Sequence, residues 1–154
     1  MNEETPAPPL YRMAVAVLAL VGLLISTYLL LYKLNVMTTL LCGTGGCETV
    51  QASPWADFIG VPVPAWGVAG YLLILGLALA GLQPRLVDNR VLARMLLATA
   101  TFAFAFSAYL TWVEAFLLKA WCRWCVASAI VATLIFIAAL FELPALLRSR
   151  KPEG

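Results

Sequence analysis

The sequence holds four cysteines and no histidine. Cys122 and Cys125 stand three positions apart in WCRWCVAS, at the lip of a long apolar run. Cys42 and Cys47 stand in CGTGGCETVQAS. Three chemistries fit such a set. A four-cysteine zinc site could combine a C-x4-C with a C-x2-C pair, although sites of that kind are mostly cytosolic. Two inert structural disulfides are the second reading, but a C-x2-C bridge encloses so short a loop that it would constrain the unfolded chain little. The third reading is reversible thiol–disulfide exchange, to which the C-x2-C spacing is well suited.

Local setting favours exchange. Cys125 is expected in the first turn of a helix, where unpaired N–H groups and the positive end of the helix dipole favour a thiolate. Arg123 adds a cation nearby, so Cys125 is the thiol expected to be acidified. Cys122, one turn earlier, is expected to be the more exposed and the better partner for exchange. Gly43, Gly45 and Gly46 surround the other pair and predict a mobile loop. A mobile pair could then pass electrons to a fixed one.

The elements that must position these thiols are membrane spans. The chain of 154 residues is 63% hydrophobic and 12% charged, with a mean hydropathy of +0.93. A water-soluble globule could not cover that much apolar surface. A net charge of +2 without a Lys/Arg block gives no footprint for nucleic acid. Four stretches, about 13–32, 64–82, 95–113 and 124–142, charge-free but for Glu142 closing the last, are each long enough to cross a bilayer, which takes about 20 helical residues. The first is expected to be retained rather than cleaved, because it has no small-x-small site and only Arg12 before it. Residues 1–11 and 144–154 are expected to be disordered tails flanking one membrane domain, 12–143.

Four spans place both termini on one side. Arg12, Arg85, Arg90, Arg94, Arg148, Arg150 and Lys151 fall on that side, and Lys33, Lys119 and Arg123 on the other, seven against three. The positive-inside rule puts the termini in the cytoplasm and all four cysteines outside it, where disulfides persist. Tyr28, Tyr32, Trp66, Trp112, Trp121 and Trp124 gather at the cysteine edge, as an interfacial belt would. Gly70, Gly76 and Gly81 of the second span, and Ala98, Ala100, Ala103, Ala105 and Ala108 of the third, predict close helix packing in lipid. The fold class is an all-α membrane protein, a four-helix bundle.

The order of a loop cysteine pair, a serine six residues beyond it, and a C-x2-C opening the fourth helix resembles the vitamin K epoxide reductase family and its bacterial homologues. The resemblance covers roughly Tyr11 to Leu143. CETVQASPWADFIGVPVPAWG is its most specific stretch, with Cys47, Ser53, Trp55 and the turn from Gly60 to Pro62. It implies that Cys42 and Cys47 form a shuttle exchanging disulfides with a DsbA-like thioredoxin-fold partner. It also implies that Cys122 receives the shuttle's attack and that Cys125 reacts with a quinone, ubiquinone or menaquinone. Ser53 matches the family's loop serine near the ring, though it could equally satisfy loop backbone. A short helix along the membrane surface is implied between the first two spans.

Trp55, Phe58, Trp66 and Trp124 are candidates for lining a quinone pocket, with packing or interfacial anchoring the alternative for each. Glu114 could assist protonation, against the plainer reading of a solvated acid at a helix end. Two departures bear on the acceptor. Vertebrate members carry a phenol where this chain has Ala129, and an asparagine before the second span that VPVPAWG lacks. Plain quinone is therefore expected rather than an epoxide, with vitamin K quinone or epoxide reduction as the alternative. The DsbB family runs similar chemistry but places its C-x2-C in the first external loop. No thioredoxin-like segment follows Leu143 in this sequence, so a separate partner is expected. The expected setting is a bacterial inner membrane, with disulfide formation outside the cytoplasm as the outcome. The non-enzyme alternative is a tetraspan adaptor held by two disulfides.

Overall fold

Helix α1 (Leu10–Lys33) begins directly after Pro9, whose fixed φ suits a helix entrance but whose ring cannot continue one. The computed structural model describes residues 9–43 and 46–148. After α1 come a short helix α2 (Gly46–Ala52), a 3₁₀ turn (Pro54–Ala56), and a two-stranded hairpin of β1 (Asp57–Phe58) and β2 (Val61–Pro62). Then follow α3 (Val63–Gly81), α4 (Arg90–Trp112), a π-helical turn (Val113–Leu118), and α5 (Arg123–Ala139). A 3₁₀ turn (Leu140–Glu142) and a last short helix α6 (Leu143–Arg148) close the described chain.

Four helical segments, Leu10–Lys33, Val63–Gly81, Arg90–Leu118 and Arg123–Glu142, are long and apolar enough to cross a membrane. They pack as an antiparallel bundle, α1 against α3 and α5, and α4 against α5 and α3. Residues such as Val15, Ala19, Ile74, Leu96 and Ile135 fill its centre. Large apolar side chains, among them Leu24, Phe102 and Ile137, cover its outside, an outer surface suited to acyl chains. Gly22 lets α1 approach α3, since a Cβ there would run into the Tyr71 ring.

The boundaries differ from expectation at both ends. Leu10 and Tyr11 are already helical, and α6 (Leu143–Arg148) covers 144–148, where a tail was expected; the expected tail residues 1–8 and 149–154 lie outside the described residues. The small residues also divide differently. Ala100 is buried and Gly81 packs on Arg12, but Gly70 and Gly76 have open space beside them, and Ala98, Ala105 and Ala108 are exposed. Smallness in an apolar helix does not by itself say which face meets a neighbour.

At the bundle end formed by the start of α1 and the end of α5, Arg12 and Glu142 are not solvated. Both are buried, and the guanidinium grips the carboxylate in a fork, Nε to Oε1 at 2.5 Å and Nη2 to Oε2 at 2.9 Å. Nη1 also donates to the carbonyls of Gly81 (2.7 Å) and Val87 (2.9 Å). One side chain thereby joins α1, the end of α3, the α3–α4 connection and the end of α5.

Candidate active site

All four cysteines lie at the opposite end of the bundle. Cys42 and Cys47 are joined in a disulfide, with Cα atoms 6.0 Å apart, while Cys122 and Cys125 are free thiols. The glycine-flanked pair, expected to be mobile, is instead buried within the hydrophobic core. Gly46 shows why a glycine is needed there. A Cβ on it would overlap the Trp121 carbonyl, the residue just before Cys122. The glycine thus brings the first turn of α2, which carries Cys47, against the approach to α5.

The segment leading to Cys42 is held from two sides. The Leu41 N–H donates to the Tyr28 hydroxyl at 3.0 Å, and Trp124 Nε1 donates to the Leu41 carbonyl at 3.2 Å. The Tyr28 and Trp124 rings pack against each other at 5.0 Å. These two aromatics, expected as interfacial anchors, act as a clamp on the loop. On its other margin α2 is tied by Lys33, whose Nζ donates to the Gln51 carbonyl (2.9 Å) and pairs with Asp57 (3.3 Å).

The roles expected within the C-x2-C pair are partly exchanged. Cys122 is the N-cap of α5, and its Sγ accepts the Cys125 N–H at 3.3 Å. The helix terminus therefore serves Cys122, because Cys125 lies inside the first turn and donates its own N–H backwards. Hydrogen bonding from the Cys125 thiol holds Cys122 below the ordinary thiol range. Burial opposes this, and the N–H groups of Cys125 and Trp124 add to it. Exposure is also reversed from expectation. Cys122 is fully buried, and Cys125 is the partly accessible one. Arg123 is exposed.

What Cys125 reaches is a cavity of about 370 Å³ between α1, α3, α4, α5 and the α2 cap. That volume falls in the range of small-molecule sites, about 300–1,000 Å³. Its walls are mostly apolar, and Trp55, Phe58 and Trp66 are among the residues that line it. Phe58 stands edge-on to both Trp66 and Phe106. Ser53 and Trp124 are not among the lining residues. The Ser53 hydroxyl donates to the Val50 carbonyl at 2.7 Å, because the 3₁₀ turn that follows points the serine back at its own loop. Trp124 is spent on the Leu41 clamp.

Polar groups gather at the Cys125 end. Gln51 is 5% exposed, with Nε2 3.7 Å from Cys125 Sγ and a buried Oε1 that has no partner. Glu114, 4% exposed, accepts the Cys122 N–H on Oε2 at 3.1 Å and lies within hydrogen-bonding reach of the Cys125 thiol. Across the cavity the Tyr71 hydroxyl pairs with the Ser128 carbonyl (2.8 Å) and hydroxyl (2.9 Å).

Sequence reasoning passes over Gln51 and leaves Glu114 between an aid to protonation and the plainer solvated acid. A faint signal for Gln51 exists: Cys47, Val50 and Gln51 fall on the buried face of α2 at i, i+3 and i+4. Nothing comparable marks Glu114, which is turned inward by the π turn. Lys119 closes that turn in a left-handed conformation (φ 50°), and the Ala120 N–H reaches the Glu114 carbonyl at 3.3 Å. Such π turns often occur at functional positions.

An apolar chamber with one polar corner suits a flat apolar ring that carries oxygens, and the unpaired Gln51 amide oxygen leaves hydrogen-bonding capacity for it. No group of three or more His, Cys, Asp or Glu side chains is arranged for a metal among the described residues. Residues 13–140 match the vitamin K epoxide reductase family. With four spans, two cysteine pairs at one end and that match over most of its length, the chain belongs to the vitamin K epoxide reductase family of membrane oxidoreductases.

Proposed function

We propose that this protein is a membrane thiol:quinone oxidoreductase that re-oxidises a separate, DsbA-like thioredoxin-fold partner and so supports disulfide formation outside the cytoplasm. The observation that carries this reading is the position of Cys125. Its thiol lines a mostly apolar cavity on one side and meets the Cys122 thiol on the other. The proposed setting is a bacterial inner membrane, both termini cytoplasmic and the cysteines outside, ubiquinone or menaquinone being the acceptor.

A bound quinone would supply a two-electron, two-proton acceptor, the same stoichiometry as a dithiol. The residues of this chain would do the rest. The partner's thiols reduce the Cys42–Cys47 disulfide, and the reduced shuttle then attacks an oxidised Cys122–Cys125 pair at Cys122. Attack at Cys122 joins it to the shuttle and releases the Cys125 sulfur, the one that lines the cavity. Gln51 would orient a ring oxygen beside Cys125, and Trp55, Phe58 and Trp66 would hold the ring's apolar body and exclude water. Ala129 lines the cavity where vertebrate relatives carry a phenol, which supports plain quinone over an epoxide.

The test is coupling. Protein in lipid nanodiscs containing quinone should oxidise a reduced thioredoxin-fold partner and form one quinol per disulfide made. Cys125→Ala should stop quinol formation and leave Cys122 joined to a shuttle cysteine in a mixed disulfide. Normal partner oxidation in Cys125→Ala would reject the relay. A wild-type protein that forms no quinol would favour the disulfide-stabilised adaptor instead.

A further inference from the structure

A thiol that gives electrons to an acceptor inside an apolar chamber must also dispose of its proton there. Among the residues lining the cavity, three titrate: Cys125, Tyr71 and Glu114. The Tyr71 hydroxyl is committed to Ser128. Glu114 is the one carboxyl in the wall, buried, with Oε2 on the Cys122 N–H at 3.1 Å and the carboxyl within reach of the Cys125 thiol.

A structural explanation does not account for a carboxyl at this point. Capping one backbone N–H takes a single acceptor, which an amide or hydroxyl supplies without the cost of burying an ionisable group. A carboxylate offers two oxygens, and backbone takes up one of them. The other groups facing Glu114 are the Cys122 and Cys125 thiols, both on α5. No ion pair neutralises it among the described residues, and the cations nearest in sequence, Lys119 and Arg123, are exposed. What surrounds this acid is the thiol pair and the cavity.

We propose that Glu114 is a catalytic residue that takes the Cys125 proton and delivers it to an acceptor oxygen inside the cavity. This rests on the thiol:quinone reading above. The step balances as follows. The Cys125 S–H proton passes to the Glu114 carboxylate as the Cys122–Cys125 S–S bond forms. The electron pair released from the two sulfurs reduces quinone to quinol. Glu114 returns its proton to one ring oxygen, and the second proton, equal to the one already shed by Cys122, comes from water at the extracytoplasmic face. The Oε2 bond to Cys122 N–H keeps the carboxyl aimed while the two sulfurs change partners.

The experiment uses Glu114→Gln, which can still accept from the Cys122 N–H but cannot take up a proton, and Glu114→Asp, which can. The first readout needs no quinone. The full chain, reduced at Cys122 and Cys125, is alkylated with a maleimide across pH, and the Cys125 adduct is counted by mass. In the wild-type protein the Cys125 curve should carry an inflection from the carboxyl in addition to the one that the neighbouring Cys122 thiol imposes. Glu114→Gln should lose it and Glu114→Asp retain it. The second readout is quinol formation in nanodiscs, expected to fall about 100-fold in Glu114→Gln, the low end of general acid–base effects being about that size. The fall should bring loss of one limb of the pH profile, with partial recovery in Glu114→Asp.

Identical alkylation curves in wild type and Glu114→Gln would overturn the proposal. So would a rate loss in Glu114→Gln that leaves the shape of the pH profile unchanged, the mark of a purely structural residue. A wild-type protein that forms no quinol rejects the thiol:quinone reading, whereas the alkylation curves still decide the proton contact. The two failures are therefore distinguishable.

Discussion

Replacing Arg12 by Met removes the cation from a buried carboxylate whose remaining side-chain partner is the neutral Tyr11 hydroxyl. Glu142 is 1% exposed, and the two oxygens now held at 2.5 Å and 2.9 Å would face an apolar side chain. The Gly81 and Val87 carbonyls lose their 2.7 Å and 2.9 Å donor in the same stroke. Breaking a buried ion pair from one side costs about 3–5 kcal/mol. For a chain of this size each kcal/mol lowers Tm by about 2–4 °C, so a fall of roughly 10–15 °C is expected. Glu142→Leu should do similar damage by stranding the guanidinium. The double variant Arg12→Met/Glu142→Leu removes both charges together and leaves only the two carbonyls short of a donor, a cost of about 1–3 kcal/mol. It should therefore be more stable than either single variant. Tryptophan fluorescence during thermal unfolding in one detergent, on all four proteins, measures the cycle. A double variant whose loss equals the sum of the single losses would refute the reasoning, because the charges would then act independently.

Four further outcomes are expected. Gly46→Val should push α2 off the Trp121 carbonyl, slowing transfer between the shuttle and Cys122 about tenfold or more while the shuttle still oxidises the partner, seen by single-turnover thiol trapping; unchanged transfer would show that this close approach does not set the rate. Because Cys122 is depressed in the folded protein, its contribution to stability is complete above the unfolded thiol value of about 8.5 and is lost as pH falls through its folded value. The Tm of the reduced protein, measured relative to Cys122→Ala, should rise with pH across that window, and a flat or opposite trend counts against the assignment. Gln51→Leu should leave stability unchanged or raise it by about 1 kcal/mol, since it removes an unpaired buried oxygen, yet weaken quinone use several-fold as a higher KM. Trp124→Phe keeps the ring against Tyr28 but drops the bond to the Leu41 carbonyl; hydrogen exchange at Leu41 and Cys42 should quicken, with a stability loss of about 1 kcal/mol.

The spans and the cysteine end were legible because they depend on local statistics. Twenty charge-free residues declare a membrane helix wherever they occur, and the alternation of four such runs fixes which loops share a side. That Trp55, Phe58 and Trp66 border one cavity follows for a related reason, as they sit in or beside the stretch that leads into α3. What escaped depends on contacts made across the bundle. Arg12 and Glu142 are 130 positions apart, and each alone reads as an ordinary charge at the end of a span. For Glu114 the sequence names both a protonation role and a solvated acid; its burial escapes, because the π turn that carries it inward has no recognised spelling in VEAFLL. The two cysteines of the C-x2-C were assigned the wrong exposures because N-cap geometry turns on one residue, and a shift of the helix start from Trp124 to Arg123 exchanges the thiol that receives N–H groups for the one that gives one. Ser53 fits the family pattern in sequence, but its hydroxyl answers to Val50.

Lys33 reaches Gln51 and Asp57 from the end of α1, and Gly46 presses against Trp121 at the start of α5. The cap over the cavity is thus fastened to two spans directly and does not hang from the strand of chain that leads into it. Residues 35–39 between Lys33 and the clamped Leu40–Leu41 stretch are largely exposed and lie outside regular structure. They are a splice point. A reporter epitope, a spectroscopic label or a short linker could be set into 35–39 while α2, the shuttle disulfide and the cavity keep their registration, which would give an external handle on the loop during turnover.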